Sequence, residues 1–249
     1  MNNSTASTSH SKHLIVAPGG LVSGGRHVES WTSVPPPNRQ LSQADTKKML
    51  LSLPNVDLKG SPLHIQAIFD LSGSMWGGND ALGLRFEVLL VAVQKLLSGS
   101  GRKGRRGPKL TVEVISFDLT SRIELAPTLI DRRSFATLEA ALLSASLGGS
   151  SNLGPALAHG ESTRTSPCLR VIMTDFELFD PDPGAVLASA ASSTVEHTVA
   201  LSFRGRPPAA LVGDRMSLHH IDPTHAERGV VAEHVIAGAE ALAAKLVTR

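Results

Sequence analysis

From Leu63 onward, apolar and polar positions alternate between two regular patterns. Leu63 to Phe69 is an apolar run that reads as a buried strand ending at Asp70, and Ser72 to Gly78 follows as a loop. Leu82, Phe86, Leu89, Leu90, Val93 and Leu97 recur at spacings of three, four and seven, the signature of one helical face, with Asn79 or Asp80 placed to cap it. Lys109 to Phe117 reads as a second strand, and Thr120 to Leu125 as a short strand reached by a tight turn, hence antiparallel and near an edge. Helices are predicted over Ser134–Ser144, from Gly154 to Glu161, and around Gly184–Ser192. Strands are predicted over Leu169–Thr174 (ending at Asp175), Glu196–Phe203 and Met216–Ile221. A last helix starts near Thr224, where Thr224 and Glu227 match a capping box, and runs through Val230, Val231, Val235, Leu242 and Leu246.

Strands alternating with helices imply βαβ units, and apolar strands imply a sheet covered on both faces. The expected architecture is α/β: a doubly wound, mainly parallel sheet with one short antiparallel edge strand and helices on both faces. Ligands of such a sheet gather beyond the carboxyl ends of its strands.

Residues 1–60 differ from the rest, being rich in Ser, Thr, Asn, Gly and His and carrying Pro35-Pro36-Pro37. That composition buries little apolar surface, so this stretch is expected as a largely flexible extension before a domain spanning 61–249. Within it, His13 to Ala17 suits a short strand, Leu41 to Leu53 a short helix with Leu41, Met49, Leu50 and Leu53 on one side, and Trp31 a docking anchor. The chain has seven Phe, two Trp and no Tyr, so Leu, Val, Ile and Ala must build the core.

Charge and cysteine content narrow the function classes. The formal charge of +2 is too small to argue for a polyanion partner, and the basic excess is local, in Arg102, Lys103, Arg105, Arg106 and Lys109. Cys168 is the single cysteine, which excludes an intrachain disulfide and a cysteine-based zinc site. The polar start and the four-residue run Leu14–Ala17 lack a signal peptide's apolar region, and no stretch reaches the ~20 apolar residues of a membrane span. A cytoplasmic location without membrane association is expected.

The chemistry collects at the strand ends. Asp70 closes one strand, Asp175 closes another, Ser72, Gly73 and Ser74 follow Asp70 directly, and Ser150 and Ser151 precede a helix. Taken singly, Asp70 and Ser72 suit helix capping at a strand-to-helix turn, and Ser150 or Ser151 suits capping of the helix at Gly154. Three separated loops converging on one sheet edge call for more than capping.

These residues resemble the von Willebrand factor A family and its metal-ion-dependent adhesion site. The family's Asp-x-Ser-x-Ser motif is Asp70-Leu71-Ser72-Gly73-Ser74 here. Its Gly-Gly-Thr-Asn-x-Gly context is met by Gly148-Gly149-Ser150-Ser151-Asn152-Leu153-Gly154, which puts Ser151 on the Thr position, with Ser150 the alternative in another loop register. Its Thr-Asp-Gly is met by Thr174-Asp175-Phe176, so Phe replaces Gly where a residue with φ > 0 is expected. The resemblance covers about residues 61–249 and implies a Rossmann-like fold with Mg²⁺ or Mn²⁺ held by Asp70, Ser72, Ser74, Ser151 and Asp175. It further implies a non-enzymatic role, with an open metal position taken by a carboxylate of a partner protein. Intracellular bacterial members often work with AAA+ ATPases or in multi-component systems. The donor set agrees with the physics of Mg²⁺, which prefers about six oxygens and keeps several waters. Two carboxylates balance its charge, three hydroxyls add neutral oxygens, and Gly73 lets the loop turn tightly.

Other signals weigh less. Gly99-Ser-Gly101-Arg-Lys-Gly104 matches Gly-x-Gly-x-x-Gly but follows a helix and precedes a strand, the reverse of the dinucleotide arrangement. The basic loop lacks aromatics for base stacking, so nucleic-acid binding is less favoured than a solvated loop. A Mg²⁺-dependent phosphoesterase lacks an evident base or nucleophile. Glu177, Asp180 and Asp182 suit a second cation site, tuning of the first, or solvated loop positions. His219, His220 and His225 suit surface or core roles, since His219 and His220 point to opposite faces of a strand. Cys168, at a strand start, suits a small apolar role.

Overall fold

The computed structural model describes residues 43–56, 58, 62–75, 81–99, 109–145, 148–165, 167–203, 205–206, 208–209, 211, 214–223 and 227–247. The expected strand at 13–17, Trp31, the capping pair Asn79 and Asp80, the arginines of the basic loop, Thr224 and His225 lie outside them.

Six strands form one sheet: β1 (Leu63–Asp70), β2 (Leu110–Phe117), β3 (Ser121–Ile130), β4 (Cys168–Thr174), β5 (His197–Phe203) and β6 (Met216–Ile221), in the order β3-β2-β1-β4-β5-β6. Neighbours are parallel except β2 and β3. The six helices are α1 (Gln43–Ser52), α2 (Ala81–Gly99), α3 (Phe135–Ser144), α4 (Leu153–Thr163), α5 (Pro183–Ser192) and α6 (Arg228–Val247). Among the described residues no helix is long and apolar enough to cross a membrane.

The side-chain alternation of β1 divides the interior in two. Leu63, Ile65, Ala67 and Phe69 join one apolar cluster with α2, α3 and α6, while Ile68 joins a second with Leu153, Ala156 and Leu157 of α4 and Leu187 and Ala190 of α5. Helices therefore cover both faces, as the strand pattern predicts. The first cluster reaches back across residue 61 into the segment expected as an extension: Leu53, Val56 and Leu58 are buried in it, and Lys95 Nζ donates to the Leu50 carbonyl at 2.7 Å.

The antiparallel edge strand is in place but is longer than expected, running ten residues to Ile130 instead of stopping at Leu125. Ala126-Pro127 reads as a strand breaker. On an edge strand, however, the missing proline N–H costs no ladder bond, and the register shift between Val112 and Val114 accommodates an extra residue there.

The second face of β1 carries an unanticipated polar network below Ile68. Gln66, fully buried, donates from Nε2 to Glu113 Oε2 and to the Gly160 carbonyl, both at 2.8 Å, and accepts from Arg170 Nε at 2.7 Å. Arg170 continues to Glu161 at 2.9 Å and Ser193 at 3.2 Å. His64 Nδ1 accepts the Thr165 N–H at 3.1 Å, which leaves the ring proton on Nε2, 3.6 Å from Glu113. The Gly160 carbonyl belongs to the last turn of α4, so Gln66 caps that helix from the sheet. A β-carbon at residue 160 would lie 2.4 Å from Gln66 Oε1, so only glycine allows this approach. Replacing Arg170 with Met strands the Gln66 oxygen without a donor, although Glu161, 42% exposed, stays open to water. The expected loss is roughly 2–3 kcal/mol, read from the urea midpoint.

On the far side of the sheet, His219 of β6 stacks on His234 of α6 with ring centroids 3.8 Å apart. Burial, and then the neighbouring His234 and His197, lower the His219 imidazole to about 4, and burial also lowers His64, His197 and His234. The unfolded chain thus binds more protons than the native one between about 6.5 and 4. Stability should be complete above pH 6.5 and decline as pH falls through that window. Urea midpoints at pH 7.5 and 5 should show this drop, and His219→Gln should shrink it.

Candidate metal centre

The strand order puts β1 beside β4 at the middle of the sheet, and the chain leaves these two strands in opposite directions, through α2 to β2 and through α5 to β5. Their carboxyl ends border the crevice where such sheets bind ligands. Asp70 is the last residue of β1, and Thr174 and Asp175 stand one and two steps beyond the paired residues Phe69 and Met173.

Asp70 is fully buried. Its Oδ1 accepts the Ser72 N–H at 2.8 Å, and its Oδ2 accepts the hydroxyls of Ser151 at 2.8 Å and Thr174 at 2.6 Å. Its carbonyl accepts from the buried guanidinium of Arg85 on α2. Burial pushes the Asp70 carboxyl above its usual range, opposed by the Ser72 and Thr174 hydrogen bonds and by Arg85. Beyond it, the chain makes a single 3-10 turn over Gly73–Met75. This turn brings the Ser72 and Ser74 hydroxyls within 3.1 Å, with Ser72 buried and Ser74 half-buried.

The Ser150–Ser151 loop is held from both sides. The Asn152 N–H donates to the Asp118 carbonyl at 2.8 Å and the Phe179 N–H to the Ser151 carbonyl at 2.7 Å, while the Gly148 N–H donates to the Leu71 carbonyl at 3.0 Å. Ser151 is the serine that meets Asp70. Neither serine caps α4: Asp180 does, accepting the Leu153 and Gly154 N–H groups at 2.8 and 2.9 Å. Asp180 is therefore a helix cap, neither a solvated acid nor part of a cation site. Asp182 caps α5 through the Ala185 N–H at 2.9 Å, and Glu177 is exposed.

Asp175 is buried, and its Oδ1 accepts the Glu177 N–H at 3.0 Å. The structure resolves the question raised by Phe176. It takes φ 60°, the glycine-like conformation, and is the sole non-glycine residue among those described with positive φ. Two contacts hold it there: its N–H donates to Thr174 Oγ1 at 3.0 Å, and its ring is buried in the cluster beneath α4 and α5. The left-handed backbone costs about 1–2 kcal/mol, which burial of a Phe side chain offsets.

The arrangement thus joins Asp70, Ser72, Ser74 and Ser151 by direct contacts and sets Asp175 at the adjacent strand end. Thr174 and Arg85 are contributors that sequence reading passed over. Arg85 had a signal, since it lies three residues after Leu82 and four before Leu89, in the apolar stripe of α2. Thr174 had one too, as the Thr of the Thr-Asp-Gly match, but its reach to Asp70 depends on how β1 pairs with β4.

The donors fit a small hard cation. They are oxygen only, and among the described residues no three His, Cys, Asp or Glu side chains form a metal-binding group. An octahedral ion with oxygens at about 2.1 Å sets adjacent ligands about 3.0 Å apart, close to the 3.1 Å between Ser72 Oγ and Ser74 Oγ. A cation would also relieve the burial of the Asp70 charge.

No protein-family model matches the sequence, and no curated protein matches it either. Solved structures do match. A von Willebrand factor type A protein from Catenulispora acidiphila aligns with TM-score 0.55 over 72% of this chain and 42% of its own, at 17% identity. The chain has the von Willebrand factor A fold. The conserved hypothetical protein BatB from Bacteroides thetaiotaomicron shares this fold with TM-score 0.53 and 13% identity, over 72% of this chain and 99% of its own. Mussel proximal thread matrix protein 1, whose adhesion-site motif holds zinc, does so with TM-score 0.53 and 14% identity, over 74% of this chain and 47% of its own. This chain thus spans less than half of the Catenulispora and mussel proteins and nearly all of BatB.

Within the von Willebrand factor A fold, Phe176→Gly tests the balance of strain and burial. Glycine relieves the backbone but leaves a cavity whose usual cost is about 3–5 kcal/mol, so a net loss of about 2 kcal/mol and a Tm several degrees lower are expected in differential scanning calorimetry.

Proposed function

We propose that this chain is a metal-dependent protein-binding module. Asp70, Ser72, Ser74, Ser151 and Asp175 would hold Mg²⁺ or Mn²⁺, and a partner protein would present a carboxylate to the remaining coordination position. The observation that carries this reading is the buried Asp70 carboxylate at the switch point, which accepts the Ser72 N–H and the Ser151 and Thr174 hydroxyls beside the paired hydroxyls of Ser72 and Ser74.

When bound, a divalent cation supplies a positive centre that attracts an acidic group. The chain's own residues do the rest. Asp70 and Asp175 supply balancing negative charge, and the serine hydroxyls add neutral oxygens. Ser74, half-buried, marks the side open to a partner. A binding role is favoured over catalysis because Asp70 already accepts three hydrogen bonds and is poorly placed to take a substrate proton. The partner is a protein, and an AAA+ ATPase is one such class.

Titration calorimetry with Mg²⁺ and Mn²⁺ should give one site per wild-type chain and no binding to Asp70→Ala. Ser151→Ala should weaken affinity on the order of tenfold, because the other donors remain. Equal binding to wild type and Asp70→Ala rejects the proposal.

A further inference from the structure

Arg85 is closed from solvent on α2, where its sequence neighbours Leu84, Phe86, Val88 and Leu89 are apolar and buried as well. Its Nη1 donates to the Asp70 carbonyl, on the same residue whose carboxylate gathers the candidate ligands. An ionised guanidinium is costly to bury, and a neutral carbonyl can be satisfied by any N–H donor. What Arg85 brings beyond a donor is a fixed positive charge. The carbonyl and the carboxylate belong to one residue, so a cation on the carboxylate would stand within about 10 Å of the guanidinium. Buried charges act on each other strongly over such a distance and are little screened by salt.

The charge balance gives that position its consequence. Asp70 and Asp175, both buried, supply the negative charge that attracts a divalent ion. Of the carboxylates on the neighbouring loops, Asp118 is matched by Arg122 at 2.8 Å, Asp180 by the Leu153 and Gly154 N–H groups, and Glu177 is exposed to screening water. Arg85 thus offsets one of the two carboxylates that draw the ion in. Once the ion is seated, the same charge leaves these groups with a positive excess, which a carboxylate from outside would neutralise. Exchanging Arg85 for a neutral residue shifts that balance by one unit, whatever else its guanidinium touches.

We propose that Arg85 is a counter-charge built into the centre, which lowers the affinity for the divalent ion and couples retention of the ion to the arrival of a partner's carboxylate. This rests on the metal-bridge reading above and adds the residue that sets its strength. A guanidinium has no acceptor and cannot ligate a cation, so Arg85 acts through its field alone.

The test is Mg²⁺ titration calorimetry on the full chain, comparing wild type with Arg85→Gln, Arg85→Met and Arg85→Lys, each checked for a cooperative thermal melt. The Gln exchange keeps an N–H donor without the charge, the Met exchange keeps neither, and the Lys exchange keeps both. Arg85→Gln and Arg85→Met should bind Mg²⁺ on the order of tenfold more tightly than wild type, and Arg85→Lys as wild type does. If one neutral variant fails to fold, the other carries the comparison. Acetate in place of chloride at equal ionic strength should tighten Mg²⁺ binding to wild type and Arg85→Lys more than to the neutral variants. Unchanged or weaker Mg²⁺ binding in the neutral variants overturns the counter-charge and leaves the metal centre standing. So does tighter binding by Arg85→Met beside a folded, unchanged Arg85→Gln, because the lost bond to the Asp70 carbonyl is then the cause. An equal response to acetate in all four chains overturns the coupling to an acid. Absence of Mg²⁺ binding in all four overturns the metal reading itself.

Discussion

The Asp70 carboxylate, carried into the interior at the end of the central strand, sets the terms for everything around it. A buried ionised group needs several hydrogen bonds or a counter-ion. Here it draws the Ser72 N–H, the Ser151 hydroxyl and the Thr174 hydroxyl, so one side chain ties together the loops after β1, before α4 and at the end of β4. Each of those loops is otherwise a surface turn with its own backbone preferences. The same burial that makes the bare carboxylate costly makes a cation at the sheet edge favourable.

Helix α4 shows how firmly the centre is framed. At its start, Asp180 accepts the first helical N–H groups and Ser151 bonds to Asp70. Near its end, the Gly160 carbonyl accepts from Gln66, which is linked to Glu113 and Arg170. Gln66 and Asp70 both belong to the even-numbered positions of β1, so one strand face clamps the helix at two heights. A polar network this deep contributes little net stability compared with an apolar core, but its bond from Gln66 to the Gly160 carbonyl holds the helix end against β1. The position of Ser151 is held by its own bonds to Asp70 and to the Phe179 N–H.

Phe176 is the place where the chain meets a constraint of the fold in an uncommon way. The turn after β4 needs a left-handed residue, and glycine answers that need at no steric cost. Phe answers it at a cost and returns a buried ring beneath α4 and α5. The turn that presents Asp175 is thereby fastened to the core.

Much of this protein was legible along the chain. Apolar runs and helical periodicity located the six described strands and the six described helices, α1 among them, because burial on a sheet or helix face leaves a local repeat. Asp70 and Asp175 stand at strand ends that the pattern marks, and the resemblance to the von Willebrand factor A motifs set Ser72, Ser74 and Ser151 beside them as candidates. The reach of β3 to Ile130 was hidden, since a proline's tolerance depends on whether its strand has a neighbour. Gln66, Glu113 and Arg170 were hidden because polar letters inside apolar strands do not say whether they meet. The choice of Ser151 over Ser150, the helix cap by Asp180 and the hydroxyl of Thr174 all depend on strand order and register. Those are set by packing between segments far apart in sequence, and only the tertiary structure decides them.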